Sequence, residues 1–381
     1  MKIVVMPDKF KGTLSSHRAA KDICEGIVAA AASRGRSDIE VVVKPMADGG
    51  EGTLMIVVEA EDIVPVESCD ALLRPVTSMI GIKKHGDTKH GIIESATCLG
   101  LSRLARHERN PELTTSYGLG LQIGYAIESG CRKLTIAIGG TATNDCGAGM
   151  LSALGARHYD AHGELIVHPA GKDLINIEKI DLGDVVSKLN GIDITIMCDV
   201  DNPLFGSEGA TMTFGGQKGA NREMLERLER GVRHYSELVS CATGRAISAE
   251  RGSGAAGGIG WALRSVSGAV YAAGAETVSK ITNLKAAVEG AALLVTGEGR
   301  CDASSLHGKV VGYTAQLGRK SGIPVLVLCG IRDRRLTAET VRQAGIDSIH
   351  ALTEYVTFQE AVSHPSEELR RMTKLIFEQL L

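Results

Sequence analysis

LTIAIGGTATNDCGAGM, residues 134–150, joins an apolar run to a polar, glycine-rich turn. The run at 134–138 is too short for a helix of its own and is typical of a buried strand. Gly139 and Gly140 end it abruptly. We therefore expect strand, loop and helix in succession, as in an α/β fold.

The turn after this strand carries groups that suit an anion. Gly139 and Gly140 let backbone approach a ligand, and Thr141 and Asn144 offer a hydroxyl and an amide. Amide groups in such a turn, backed by a helix N-terminus, favour phosphate. The alternative is a tight corner in which Asn144 or Asp145 caps the helix. The turn is neither a Walker loop nor GxGxxG, so both interpretations stay open.

Composition excludes several classes of protein. A chain of 381 residues favours two domains. The net charge of −3 and the 3% aromatic content argue against a nucleic-acid-binding surface. Nine cysteines without metal-ligand spacing predict a reducing compartment, and no run approaches membrane-spanning length. We expect a cytoplasmic protein without a membrane partner; assembly into a homo-oligomer is compatible with the sequence.

Working outward, both ends of the chain alternate short apolar runs with helical patterns. The runs predict five strands, which we place at residues 2–6, 39–43, 293–296, 325–329 and 346–350. Alternation of this kind predicts one open parallel sheet. The middle of the chain is then an insertion into that sheet.

This organisation predicts two domains. Residues 1–65 and 270–381 form a discontinuous five-stranded α/β domain, and residues 66–269 form a glycine-rich inserted α/β domain. We expect a small-molecule site in a cleft between them. The GSGAAGGIGWAL run at 252–263 suits either close approach to a ligand or close packing of a helix start.

Ligands of open α/β sheets bind at the carboxyl ends of strands, and polar residues follow these strands. Lys9 and Lys11 follow the first strand and suit a carboxylate or a phosphate, unless they are solvated loop charges. Asp48 follows the second strand, where it could bind Mg²⁺ or activate a hydroxyl, or cap a helix together with Glu51.

Two more strand ends are acidic. Asp199 ends a strand of the middle block, and a later stretch, GEGRCDASSLHGK, carries Glu298, Arg300, Asp302 and Lys309. Carboxylates for Mg²⁺ and cations for phosphate are what phosphoryl transfer requires. The turn after the first strand lacks GxGxxG, which argues against a nicotinamide cofactor.

Together these motifs resemble the bacterial type-1 glycerate kinase family along nearly the whole chain. The resemblance rests on MPDKFKGTLS, ADGGEGT, TTSYGLG, IGGTATNDCGAGM, CDVDNPLFG, GQKGA, GSGAAGGIG and GEGRCDASSLHGK, in this order and spacing. It implies an ATP-dependent kinase of D-glycerate, with 2-phosphoglycerate as the product of the best-known members. It also implies a flavodoxin-like domain with an inserted second α/β domain.

The resemblance and the strand ends together give a set of site residues. We predict catalytic roles for Asp48, Asp199, Arg300 and Asp302. We predict substrate or phosphate contacts from Lys9, Lys11, Gly139, Gly140, Thr141, Asn144 and Lys309. Mg²⁺ prefers carboxylate oxygens, and Glu298 and Asp302 flank Arg300 in what the sequence suggests is one loop, so we expect them to hold it. Asp48 with Asp199 is the alternative pair.

The chain departs from the usual family sequence near the expected site. Gly216 replaces a Pro, Ser304 replaces a Gln, and IESATCLGL differs from the commoner IEMAAASGL. These changes leave open a kinase of a related C3 or C4 hydroxy acid. A non-catalytic sensor of sugar acids is a second alternative, and a nucleotide-dependent oxidoreductase is a distant third.

Overall fold

The computed structural model describes residues 1–86 and 88–381, and it has two compact units. Unit 1 is Met1–Asp48 with Ala273–Leu381, and unit 2 is Gly49–Ala272. No helix in the described ranges is both long and apolar enough to cross a bilayer.

The strands, in chain order, are β1 (Lys2–Val5), β2 (Glu40–Val43), β3 (Ile63–Cys69), β4 (Pro75–His85), β5 (Thr88–Glu94), β6 (Cys131–Ala137), β7 (Arg157–Tyr159), β8 (Lys179–Asp181), β9 (Asp193–Met197), β10 (Val270–Ala272), β11 (Leu293–Cys301), β12 (Val325–Arg332) and β13 (Ser348–Ala351).

The α-helices are α1 (Ser16–Ser33), α2 (Thr53–Val57), α3 (Ala96–Leu99), α4 (Tyr117–Glu128), α5 (Ala148–Leu154), α6 (Gly183–Leu189), α7 (Ala210–Phe214), α8 (Arg222–Thr243), α9 (Ile259–Ser267), α10 (Gly274–Ile281), α11 (Leu284–Val288), α12 (Val310–Ser321), α13 (Ala338–Ala344), α14 (Phe358–Ser363) and α15 (Pro365–Leu380).

Unit 1 contains a five-stranded sheet in the order β13-β12-β11-β1-β2, and every neighbouring pair is parallel. Numbered within the unit, this is the flavodoxin order 2-1-3-4-5. The prediction of a five-stranded parallel sheet is therefore confirmed. The order reverses between β1 and β11, which makes the carboxyl ends of these two strands the switch point of the sheet.

Apolar side chains from strands and helices hold this sheet together. Ile3, Val5 and Val295 are fully buried beneath α1 and α15, whose side chains Ile27 and Phe377 belong to the same cluster. Each such side chain contributes about 1.5–3 kcal/mol through removal from water. The two helices approach closely, since a Cβ on Gly26 of α1 would lie 2.6 Å from the Cβ of Thr373.

Unit 2 contains a six-stranded mixed sheet in the order β10-β9-β6-β5-β4-β3. Strands β5, β6, β9 and β10 pair in parallel, whereas β3, β4 and β5 form antiparallel pairs. The predicted strand at residues 134–138 is the buried end of β6. The β3–β4 hairpin was missing from the sequence prediction.

The division between the units begins earlier than the expected residue 65. It falls between Asp48 and Gly49, and the second division, between Ala272 and Ala273, lies close to the expected residue 270. Hydrogen bonds explain the first position. The amides of Gly52 and Leu54 donate to the carboxylate of Glu94 on β5 at 2.9 and 2.8 Å, so α2 belongs with unit 2.

Candidate active site

The end of β1 places Asp8 against β11. The amide of Asp8 donates to the carbonyl oxygen of Gly297 at 2.8 Å, which carries the β1–β11 pairing beyond the strand itself. The Asp8 carboxyl is buried, and its Oδ1 accepts the Lys9 amide hydrogen at 2.7 Å. Burial, reinforced by the nearby charge of Asp48, raises the pKa of Asp8 to about 7.

The end of β2 brings Asp48 to the same region of unit 1. The amide of Met46 donates to the carbonyl oxygen of Pro7 at 2.9 Å, so the segment after β2 stays beside the segment after β1. The Lys9 ammonium then lies 3.6 Å from Oδ1 of Asp48, with about a quarter of each side chain exposed. The structure therefore brings these two predicted site residues together.

The end of β11 is confined on both sides by backbone. A Cβ on Gly297 would lie 2.0 Å from the carbonyl oxygen of Leu328, and a Cβ on Gly299 would lie 2.9 Å from the backbone nitrogen of Lys11. Only glycine permits such approaches. The GEGR motif is therefore part of a strand, paired with β12 as far as Cys301, and the expectation of a loose loop around Arg300 is wrong.

Glu298 lies between those two glycines in the sequence, and its carboxyl group is the clearest indication of a functional site in unit 1. Its Oε1 is buried and has no hydrogen-bond partner among residues 1–86 and 88–381. Burial is the main reason that its pKa rises to about 7, and the charges of Asp8 and Asp302 raise it further. A side-chain hydrogen bond with Ser305 and the ammonium of Lys309 act in the opposite direction.

Asp302 begins a short 3-10 turn, Ala303–Leu306. Its Oδ1 accepts hydrogen bonds from the Ser304 amide at 2.8 Å and the Ser304 hydroxyl at 2.6 Å. These bonds lower the pKa of Asp302 and keep it ionised. The Lys309 ammonium donates to the Ser304 hydroxyl at 3.1 Å, so Ser304 joins the two predicted site residues.

Arg300 and Lys11 differ from the residues around Glu298. The Arg300 guanidinium is 62% exposed and lies 3.6 Å from Asp333, which also pairs with Arg335 at 2.8 Å. Lys11 is exposed. Unit 1 therefore has a group of neighbouring charges, which we call the carboxyl cluster: Asp8, Lys9, Asp48, Glu298, Asp302 and Lys309.

The carboxyl cluster has the donors that a hard divalent cation requires. Two of its acids have a raised pKa, and one carboxylate oxygen is buried without a partner in the described chain, so a cation beside it would relieve repulsion. Within the described ranges no three acidic, histidine or cysteine side chains form a ready-made metal site. Mg²⁺ fits this arrangement because it takes one or two carboxylates and completes its shell with phosphate and water.

In unit 2, the turn after β6 is built on close backbone contact. The Gly139 amide donates to the carbonyl oxygen of Gly49 at 3.1 Å, and a Cβ on Gly139 would lie 2.8 Å from the Cα of Gly50. Gly140 has φ +78° and is exposed. Of the four predicted anion contacts in this turn, Gly140 is the most accessible.

At the start of α5, the carboxylate of Asp145 takes the hydrogen bonds that a bound anion could otherwise accept. Its buried carboxylate accepts hydrogen bonds from the Ser116 amide and hydroxyl, both at 2.7 Å, and from the amides of Gly149 and Gly147 at 3.2 and 3.3 Å. Burial raises the pKa of Asp145, and these four bonds oppose the rise. The N-cap of α5 is Gly147, and the Asp145 carboxylate accepts amide hydrogens from the start of this helix.

The same turn is bound to the GQKGA segment by a buried lysine. The Lys218 ammonium donates to the carbonyl oxygen of Thr143 at 2.6 Å, and burial lowers the pKa of Lys218 to about 8 while Asp145 raises it. Asn144 donates to Thr211 at 3.0 Å. The sequence showed GQKGA only as a motif, and nothing in it indicated an inward-pointing lysine.

Several buried polar atoms of this turn lack a hydrogen-bond partner in the part of the chain that the structure describes. They are Oγ1 of Thr141, Oγ1 of Thr143 and Oδ1 of Asn144. Leaving such groups unpaired is costly, so they are candidates for ligand contacts. The predicted residues Thr141 and Asn144 are thus buried side chains and not surface groups.

The GSGAAGGIG segment serves close packing. A Cβ on Gly257 would lie 2.2 Å from the carbonyl oxygen of Thr143, and one on Gly254 would lie 2.3 Å from that of Pro203. The Cys146 amide donates to the Gly257 carbonyl at 2.9 Å. Of the two interpretations of these glycines, packing against neighbouring backbone is the one observed.

Asp199 lies after β9 and is partly exposed, and nearby Asp201 pairs with Arg251. The predicted residues therefore fall into two groups. Unit 1 carries Lys9, Lys11, Asp48, Glu298, Arg300, Asp302 and Lys309, and unit 2 carries Gly139, Gly140, Thr141, Asn144 and Asp199. Sequence analysis did not select Asp8, because burial is not visible in the sequence.

Comparisons with known proteins identify the family of this chain. A model of the glycerate kinase family matches residues 3–381. A glycerate kinase of Bacillus subtilis (strain 168) is 36% identical over 98% of this chain and 96% of its own length. A glycerate 2-kinase of Escherichia coli (strain K12) is 37% identical over 99% of this chain and 97% of its own length.

A solved structure gives the same result for the fold. A crystal structure from Salmonella typhimurium LT2, named provisionally as glycerate kinase 2, is 37% identical and has a TM-score of 0.80. The match covers 100% of this chain and 98% of the other.

Proposed function

We propose that this chain, which belongs to the glycerate kinase family and so uses a nucleotide substrate, transfers the γ-phosphoryl group of ATP to the 2-hydroxyl of D-glycerate. The Escherichia coli relative named glycerate 2-kinase supports the position of transfer. The observation that carries the proposal is the carboxyl cluster at the switch point of unit 1, with the buried, unpartnered Oε1 of Glu298. A sensor would have no use for two acids held at raised pKa.

We assign the metal to Glu298 and Asp302. Asp302 stays ionised through its bonds to Ser304, and Glu298 has an oxygen without a partner in the described ranges. When bound, Mg²⁺ would neutralise charge on the transferred phosphoryl group. Arg300 and Lys309 would add positive charge beside the same strand end, which stabilises a transition state with charge on three oxygens.

Asp8 and Asp48 suit the acceptor hydroxyl. A carboxyl with a pKa near 7 can take up the proton that leaves the hydroxyl as the new oxygen–phosphorus bond forms. Asp48 is held by Lys9 and would orient the same hydroxyl. Lys9 and Lys11 would bind the substrate carboxylate. For Asp199 and the turn from Gly139 to Asn144, which belong to unit 2, a role in ligand binding stays a prediction.

A kinase assay tests this function. ADP formation is measured with the purified chain, ATP and Mg²⁺ over a panel of C3 and C4 hydroxy acids, and the product is examined by phosphorus NMR. We expect turnover with D-glycerate and a doublet, because a phosphate on carbon 2 couples to one proton. A triplet would place the phosphate on carbon 3, and no acid-dependent ADP formation would contradict the kinase itself.

A further inference from the structure

A groove of about 680 Å³ lies on unit 2, within the size range of small-molecule sites. Arg106 and Arg109 line one part of it, and residues 216–217 and 219–221 line the rest. The second of these lining segments includes the GQKGA motif and Gly216, where the chain departs from the usual family sequence. The groove contains none of the carboxyl cluster residues.

The groove exists because the two segments approach each other without side chains between them. Gly219 has φ +100°, and a Cβ there would lie 2.0 Å from the carbonyl oxygen of Arg109. Between the lining residues, Lys218 points inward and donates to Thr143. Asn221 then caps α8 by accepting the Met224 amide hydrogen at 2.9 Å. The lining is therefore fixed on both sides of Lys218.

The groove carries uncompensated positive charge. In the described ranges, neither Arg106 nor Arg109 has a carboxylate within 4 Å, and Arg109 donates a hydrogen bond to the Leu104 carbonyl oxygen at 3.4 Å. Glu108, between them in sequence, is already engaged. It pairs with Arg74 at 2.6 Å and accepts the Ala105 amide hydrogen at 2.9 Å.

Other arginines in unit 2 do have carboxylate partners. Arg74 has both Asp70 and Glu108 as partners, and Arg227 binds Glu112 at 2.7 Å. No acid is among the groove's lining residues, and Gln217 adds an exposed amide. The start of α8, a helix of 22 residues, favours negative charge in the same place.

We propose that this groove binds the phosphate chain of a nucleoside triphosphate. Two guanidinium forks match adjacent phosphates, and each can make paired hydrogen bonds that a single ammonium cannot. The volume exceeds what one small carboxylic acid needs. The lining has no aromatic ring on which a base could stack, so the phosphates supply most of the affinity. The inference rests on the proposed kinase function for the identity of the ligand.

Calorimetric titration of the full chain without glycerate tests this site apart from turnover. The probes are ATP, inorganic tripolyphosphate, inorganic phosphate and adenosine. The variants are Arg106→Gln, Arg109→Gln and their combination, with Arg103→Gln as the matched control, since Arg103 is exposed but does not line the groove. Arg109→Lys keeps the positive charge but removes the two-pronged guanidinium group. It replaces Arg109→Gln in the titrations if Arg109→Gln folds poorly.

We expect ATP and tripolyphosphate to bind wild type, with phosphate and adenosine much weaker. Each glutamine variant should weaken both good ligands by about 10-fold or more, the scale of losing a charged hydrogen-bond pair. Arg103→Gln should change them by less than about 3-fold. Unchanged ATP affinity in the double variant would overturn the inference, as would adenosine binding as tightly as ATP.

The two proposals fail separately. If wild type forms ADP with glycerate and the arginine variants bind ATP normally, the proposed kinase function stands and the groove proposal is contradicted. If wild type binds ATP through these arginines but forms no ADP with any hydroxy acid, the groove proposal stands and the proposed kinase function is contradicted.

Discussion

The amide of Asp8 donates to the carbonyl oxygen of Gly297, the residue before Glu298, at 2.8 Å. This bond holds Asp8, which follows β1 and is buried, next to β11, which carries the partly buried Glu298. Each has a pKa near 7, and the charge of Asp8 contributes to the rise at Glu298. Folding therefore places two acids where ionisation is unfavourable. Such an arrangement costs stability and is typical of functional sites.

Asp8→Asn should stabilise the protein and impair catalysis. The folded pKa of Asp8 lies above its unfolded value, so its cost to stability grows as pH rises from about 4 and is complete above about 7. Without metal, we expect the free energy of unfolding to rise by about 2–4 kcal/mol at pH 8 and by less at pH 5. Denaturant unfolding in EDTA measures this. Equal effects at both pH values would remove the buried charge as the cause.

Mg²⁺ should stabilise wild type more at pH 8 than at pH 5.5. A cation at Glu298 must compete with the proton that the raised pKa retains, so binding weakens as pH falls through about 7. The shift in Tm on adding Mg²⁺ at each pH is the measurement. In Glu298→Gln the shift should be small and independent of pH. A full shift in that variant would place the cation elsewhere.

Lys9→Met and Lys11→Met should raise the KM for glycerate or lower kcat without unfolding the chain. Lys9 is partly exposed and Lys11 exposed, so neither charge contributes much to stability. Lys320→Met, at the exposed end of α12, is the control. Steady-state kinetics give the answer. Normal constants in both variants would make these lysines ordinary solvated loop charges.

Gly219→Ala and Gly216→Ala should have opposite effects on stability. At Gly219 the positive φ and the carbonyl oxygen of Arg109, 2.0 Å from a Cβ, predict a loss of about 2 kcal/mol or more. At Gly216 a Cβ would meet open space, and we expect a change between zero and a gain of about 1 kcal/mol. Denaturant midpoints of the two variants test this. Similar losses at both would contradict the packing described for the groove.

The sequence predicted the strands of unit 1 well because each is a short, mainly apolar run. The strands β1, β11 and β12 are largely buried, whereas the edge strand β2 is partly exposed. The sequence does not show the break at Asn283, which adopts φ +50° and separates α10 from α11. The sequence also does not show why the first division between the units follows Asp48. Nothing local shows that Glu94 of β5 accepts hydrogen bonds from the start of α2.

The site was predicted in its residue types but not in its burial. Asp8 stands in PDKFKG among lysines, which is typical of a solvated loop, yet only 7% of it is exposed. Lys218 presents the same difficulty, since its buried ammonium depends on a carbonyl 75 residues away in the chain. Contacts between distant segments decide both positions, and a single sequence does not show them.

The central claim is that Glu298 and Asp302 hold the metal for phosphoryl transfer. Comparing kcat and Mg²⁺ dependence for wild type, Glu298→Gln, Asp302→Asn and the exposed control Asp201→Asn tests it most directly. Asparagine at 302 keeps an oxygen for the bonds to Ser304, so the turn is preserved. We predict a fall in kcat of about 10²-fold or more in both site variants, with ATP affinity little changed and the control near wild type. Near-normal kcat with wild-type Mg²⁺ dependence in both would contradict the claim and make Asp48 and Asp199 the pair to examine.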